Sequence, residues 1–298
     1  MKKSFIKKIC LLTAVLMFIT SVFAVPAAKA ETNNKIVVDF EKATSIYTTD
    51  SENFVLTTEP GNESNKVICY KGASDANQNN AAQNRVALTW TDVNTKKITD
   101  FVNPGEEFVV KFKYKYLSAD APNANVNFQT TDSANLWAGT YDKLTDYVSK
   151  TLVNPKNGSW QSVSVTLKIK ADAVNYNHLS ALVDSSADIY FDEAVVYKPT
   201  NISFNTNGGT AVDTVKCEPG EAVELPAAPK KQGAAFKGWY TDAELTTPFN
   251  GIAPETDTTL YAGWISGYVY GYEDNDVILL ACDTKNGSIE ITDAKASE

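Results

Sequence analysis

Ten residues, Glu107–Tyr116, constrain this 298-residue chain more than any other stretch. Phe108, Val110, Phe112, Tyr114 and Tyr116 fall on one parity; Val109, Lys111, Lys113 and Lys115 fall on the other. A period of two over that length fits a strand with one dry face and one wet face. Trp160–Lys170 repeats the pattern, with Val163, Val165, Leu167 and Ile169 on one parity. Shorter alternating runs occupy Lys35–Glu41, Val67–Tyr70, Arg85–Trp90, Ala124–Thr130 and Ile189–Tyr197. Turn-rich pieces separate them, among them Glu59-Pro60-Gly61-Asn62, Asn103-Pro104-Gly105 and Asn154-Pro155-Lys156-Asn157-Gly158. Almost no helical periodicity intervenes, so residues 31–198 predict a β-sandwich.

A second unit follows the short junction Lys198-Pro199-Thr200. In residues 201–264, Asn207-Gly208-Gly209 interrupts two runs of alternating apolar residues. Asn and Gly accept the positive φ angles of a tight turn, so this is a hairpin signal. Phe204, Val212, Val215, Val223, Leu225, Phe236, Trp239, Phe249, Leu260 and Trp264 supply one small core. A domain of about 64 residues without disulfides needs its large rings inside, which makes Trp239 and Trp264 core residues.

The stretch resembles the Listeria–Bacteroides repeat, also called the internalin B-repeat. The matching pieces are Phe204 to Gly209, Pro226 with Pro229, Phe236-Lys237-Gly238-Trp239-Tyr240, and Leu260-Tyr261 with Trp264. Ala234 stands where the family usually has an aromatic residue, and Gly263 where it often has Lys. The resemblance implies a small β-grasp-like module, found in secreted and surface proteins as a spacer or adhesion unit. The whole chain therefore predicts as all-β: a β-sandwich followed by a small β-grasp-like repeat domain spanning 199–265. Residues 266–298 hold Val277–Cys282 and Ser288–Thr292 around Asn286-Gly287, a short β-hairpin tail or an incomplete module.

Residues 1–30 read as a secretory signal peptide: Lys2, Lys3, Lys7 and Lys8, an apolar stretch from Ile9 to Val25, then Ala28-Lys29-Ala30. Cleavage places the mature start at Glu31, with no membrane insertion afterwards and a secreted, extracellular or cell-surface location. The chain carries a formal charge of −9, and beyond residue 30 there are 22 Lys and Arg against 36 Asp and Glu. That excess argues against nucleic acid as a partner. Cys69, Cys217 and Cys282 form neither a disulfide framework nor a metal-ligand spacing and read as buried free thiols. The only histidine is His178, and no nucleophile–base set can be drawn around it. The chain predicts as a non-enzyme.

The sandwich opens with Val38-Asp39-Phe40-Glu41 and closes with Ile189–Val196. Terminal strands that pair bring Asp39, Glu41, Asp192 and Glu193 together, a repulsive set that a proton or a hard cation relieves. With Ser159–Val165, these segments resemble the jelly-roll carbohydrate-binding modules attached to bacterial glycoside hydrolases. The resemblance implies about eight to ten strands, a structural Ca²⁺ with Glu41 and Asp192 at the ligand positions, and sugar binding on a concave face or at loop tips. The alternative is that these acids simply face solvent. Trp160 takes the family's core position. Trp90 follows the parity of Val86 and Leu88 and either points inward or lines a concave face. Trp137 sits in a polar stretch beside Tyr141 and Tyr147, with Asn135 near. Rings stack on the apolar face of a pyranose while amides take its hydroxyls, so these residues are candidate sugar contacts. Alternatively, Leu136 and Trp137 tuck under their own loop. Two functions compete: binding of polysaccharide or cell-surface glycan by the sandwich, and adhesion to a protein partner with the sandwich as scaffold. A third, an accessory fragment of a glycoside hydrolase, is weaker.

Overall fold

The structure, a computed structural model, describes residues 34–38, 40–48, 53–72, 85–92, 95–131, 144–146, 148–232, 234–273, 276–283 and 288–291. Side chains from residue 266 onward, and those of Trp90 and Thr131, lie outside that description. The sandwich is built from β1 (Lys35–Val37), β2 (Ile46–Thr48), β3 (Phe54–Glu59), β4 (Asn62–Tyr70), β5 (Arg85–Thr91), β6 (Glu107–Tyr116), β7 (Ala124–Thr131), β8 (Ser149–Leu152), β9 (Gln161–Lys168), β10 (His178–Asp184) and β11 (Ile189–Tyr197). The first sheet runs β3-β4-β11-β6-β9, with β1 paired to β11; the second runs β2-β5-β10-β7-β8. Consecutive strands alternate between the sheets in the middle of the chain, the long crossing connections of a jelly roll. Terminal pairing is as the sequence predicts: Ile36 lies opposite Val196 and Val37 opposite Val195.

Phe108, Val110, Phe112, Tyr114 and Tyr116 all point into the core between the sheets. Phe112 meets Phe128 of the second sheet at 6.2 Å and Phe191 of its own at 5.8 Å between ring centres. Such pairs add about 0.5–1.5 kcal/mol beyond area burial. Tyr116 is fully buried because its hydroxyl is satisfied twice. It donates to Leu152 O and accepts from Ala124 N–H, at 2.9 and 2.8 Å, and burial pushes its pKa up to about 12.

The alternation reading misses β2, β3, β8 and β10. Strand β10 is the instructive one. All its residues from His178 to Val183 are buried, so it shows no wet parity for a period-of-two search to find.

A third sheet follows, from β12 (Thr200–Asn205), β13 (Val215–Cys217), β14 (Ala234–Tyr240), β15 (Thr258–Glu273), β16 (Asp276–Asp283) and β17 (Ser288–Ile291). At its centre β12 and β15 run parallel, with Phe204 opposite Leu260. The predicted turn forms at Asn207 and Gly208, both at positive φ (48° and 87°). It is not a two-residue hairpin, because β13 rejoins β12 only at Val215. The turn instead docks on the end of the sheet. Asn207 Nδ2 donates to Ala262 O at 2.8 Å, and Trp264 Nε1 donates to Thr206 O at 2.8 Å. Trp239 and Trp264 join the small core with Phe204 and Phe236. Gly263, where the family often has Lys, has a structural reason. A Cβ there would lie 2.4 Å from the Tyr240 ring, which covers the glycine from the neighbouring strand. Strand β15 continues across residues 265 and 266, and β16 and β17 extend the same sheet.

Candidate functional site

The outer face of the second sheet carries the least expected chemistry. Along its three central strands one parity enters the core: Val86 and Leu88, Ala124, Val126 and Phe128, Leu179, Ala181 and Val183. The opposite parity should meet water. It carries Arg85, Ala87 and Thr89 on β5, His178, Ser180 and Leu182 on β10, and Asn125, Asn127 and Gln129 on β7. The registers set these in rows, with Ser180 between Ala87 and Gln129, and Leu182 between Arg85 and Asn127. Yet Arg85 is 6% exposed, His178 3% and Ser180 1%. Asn125 remains exposed and accepts from Thr151 Oγ1 of β8 at 2.9 Å.

Shielding changes the chemistry. Burial, aided by the charge of Lys97, lowers the His178 pKa to about 4, against a weaker opposing pull from Asp100. The imidazole is neutral at physiological pH and can both donate and accept. Gln129 Oε1 is buried with no hydrogen-bond partner among the described residues. Arg85 brings a planar fork of donors to the same face. It is the only arginine in a chain whose Lys and Arg together number 27, and His178 is the only histidine. This rarity was the signal that sequence reading passed over. It weighed His178 only as a catalytic group and did not weigh Arg85, Gln129 or Ser180.

The predicted sugar contacts Asn135, Trp137, Tyr141 and Tyr147 lie outside the described residues. Thr131, the last described residue before them, is the register partner of His178. Trp90 keeps the parity of Val86 and Leu88, and its side chain is also outside the description.

The predicted acid set comes together in part, at the central strand of the first sheet, β11. A bulge between Asp192 and Val195 breaks the ladder to β6, with Glu193 at φ 48°. Glu193 pairs with Lys113, and its charge still bears on Asp192. Asp39 lies outside the described residues. Asp192 has its pKa raised, first by burial and further by the charges of Glu193 and Glu41, against hydrogen bonds from Asn65 and the Glu193 N–H. Glu41 accepts from Lys66 N–H at 3.0 Å. Among the described residues no group of three or more His, Cys, Asp or Glu is placed to hold a metal ion. Glu41 and Asp192 supply only two of the hard oxygen donors, and main-chain carbonyls and water would have to complete the six to eight ligands Ca²⁺ takes.

The sequence reading missed the strongest acid here. Glu59, at the β3–β4 hairpin, accepts from Lys115 Nζ (2.8 Å), Trp160 Nε1 (2.9 Å) and Asn65 Nδ2 (3.0 Å). The Lys115 contact leads, and these donors together outweigh burial and lower its pKa to about 2. Asn65 Nδ2 also donates to Asp192 at 3.0 Å. Trp160 is structural, as expected, but it packs with Val55, Val67, Cys69 and Tyr190 in a satellite cluster separate from the main core. Cys69 and Cys217 are buried free thiols. No helix of the described residues is long and apolar enough to cross a membrane.

Residues 201–263 match the family model of the Listeria-Bacteroides repeat domain. Two proteins of Evansella cellulosilytica are similar over a quarter of this chain. They are a "Putative Gly-rich membrane protein", 42% identical over 77 residues and 9% of its length, and a "Putative membrane protein", 44% identical over 78 residues and 12% of its length. The chain thus spans about a tenth of the length of these curated relatives. Among solved structures, the CBM22-1 xylan-binding domain from Paenibacillus barcinonensis Xyn10C is 15% identical, covering 58% of this chain and 97% of that one, at TM-score 0.34. The CBM22-1–GH10 modules of Clostridium thermocellum Xyn10B are 16% identical, covering 62% of this chain and 29% of that one, at TM-score 0.31. These overlaps say nothing about what this chain binds. The chain is all-β, a jelly-roll sandwich followed by a segment, 201–263, that matches the Listeria-Bacteroides repeat domain.

Proposed function

We propose that the sandwich binds polysaccharide or a cell-surface glycan on the outer face of its second sheet, as part of a secreted, non-catalytic protein. One observation carries the reading: Arg85, Gln129, His178 and Ser180 bring shielded hydrogen-bonding groups to one sheet face, and among the described residues Gln129 Oε1 there lacks a partner. An unsatisfied buried acceptor costs about 1–3 kcal/mol. A sugar hydroxyl, donor and acceptor at once, would relieve it, and the Arg85 fork and neutral imidazole would read neighbouring hydroxyls. Trp137, Tyr141, Tyr147 and Asn135 belong to the same proposal as stacking and amide contacts. Glu41 and Asp192 would hold a structural Ca²⁺, which neutralises their mutual repulsion.

The test is a glycan array with the chain from Glu31, run with Ca²⁺ at moderate salt. Binding to a chemically related group of sugars, lost in Q129A and R85A that remain folded, is the expected result. Silence of a folded sample across plant, fungal and host glycans would overturn it and favour adhesion to a protein partner.

A further inference from the structure

The third sheet meets the sandwich through buried charge. Lys35 on β1 has a side chain only 2% exposed, held between Glu218 and Glu221 in the segment after β13. Its Nζ lies 2.8 Å from Glu221 Oε1 and also contacts Glu218 Oε1. The other Glu218 oxygen is 2.6 Å from Lys111 Nζ on β6. Farther along β6, Glu107 takes Lys216 of β13 at 2.8 Å, in solvent. On the remaining side Asn34 Nδ2 donates to Glu255 O at 2.7 Å. The covalent junction is itself held. Lys198 N–H donates to Asn34 O at 2.9 Å, and Lys198 Nζ reaches Glu106 at 2.8 Å.

These contacts come from separated segments of both partners and surround the junction. Buried ion pairs gain little net stability over hydrated ions, but they discriminate between arrangements. A docking that kept Lys35 and Glu218 buried but moved them apart would leave each without its counter-charge. Residues 32–298 also form one compact unit. We propose that Lys35, Lys111, Glu218 and Glu221 form a charge clamp that locks the repeat to the sandwich in one orientation. The repeat is then a fixed arm and not a flexible spacer. The inference is independent of what the second sheet binds.

Calorimetry of the full chain tests it. The native chain is expected to unfold in one transition. K35E sets a third carboxylate against Glu218 and Glu221, and should split the transition, the repeat's midpoint falling by about 5–10 °C. Inverting all four charges together (K35E, K111E, E218K, E221K) should restore a single transition. Two transitions in the native chain, or an unchanged single one in K35E, would overturn the clamp. Should K35E fail to fold, the near-isosteric E218Q is read by the distance between spin labels at V153C and I252C, both exposed positions, in a C282S background. A narrow distribution that broadens in E218Q supports the clamp; a broad native one, or no change, refutes it.

Discussion

The two outer faces of the sandwich differ in what their polar groups do. On the first sheet, the three lysines of β6 each have an acid: Lys111 with Glu218, Lys113 with Glu193, Lys115 with Glu59. That face spends its charge inside the molecule. On the second sheet, Arg85, His178 and Ser180 are shielded and Gln129 Oε1 stays unmatched. Among the described residues, one face pairs its lysines internally and the other leaves a buried acceptor, Gln129 Oε1, without a partner. The difference teaches where to look for ligand: where desolvated polar groups are not explained by the fold itself.

The comparison breaks most severely at Glu59. E59L leaves Lys115 and the Trp160 N–H facing an apolar side chain, an expected loss of about 3–5 kcal/mol in urea unfolding. Glycan binding by the folded fraction should be unchanged; a loss under 1 kcal/mol would show the first face is less self-contained than its geometry implies.

Acid separates the faces by pH window. His178 has a folded pKa near 4, below its unfolded value. Its stability contribution is complete above about pH 6.5 and is lost as pH falls toward 4, to a total of roughly 3 kcal/mol. Glu59 has a folded pKa of about 2. Its contribution is complete above about pH 4.5 and is lost as pH falls toward 2. Stability curves should therefore fall in two steps, with H178Q removing only the upper one. A single step below pH 4.5 in the native chain would contradict the shielding of His178.

On the second face, R85A is expected to weaken glycan binding about tenfold to a hundredfold, and Q129A about threefold to tenfold. Q129L should hold or raise the melting temperature, because it removes an unmatched acceptor; a drop would mean Gln129 serves the fold. Smaller still is the calcium effect. Adding Ca²⁺ at pH 7 should raise the melting temperature by a few degrees through linkage. The gain should vanish in E41Q and shrink as acid protonates Asp192, whose pKa is raised. An unchanged midpoint with and without chelator would remove the metal from the account. The smallest effect belongs to Lys113, whose pair with Glu193 is solvent-exposed. K113A should shift stability by less than about 1 kcal/mol.

The sequence alone carries the all-β class, the inward row of β6, the pairing of the chain's first and last sandwich strands, the turn at Asn207-Gly208 and the aromatic core of the repeat. Each is a local pattern: strand parity is written residue by residue, and a left-handed turn needs particular residues at particular places. It placed Glu41 beside Asp192 because matched terminal strands tend to pair. It did not find β10, whose two covered faces erase the alternation. Nor did it find the convergence of Glu59, Asn65 and Lys115, or of Arg85, Ser180 and Gln129. Lys115 reaches Glu59 across 56 residues, and Arg85, Gln129 and Ser180 stand on three strands far apart in sequence. Only the tertiary structure decides which strands become neighbours and in what register, because that choice minimises the free energy of the whole core and not of any one segment. The same reason governs the repeat. Its identity is local, whereas its attachment to the sandwich through Lys35, Glu218 and Glu221 exists only once both are folded.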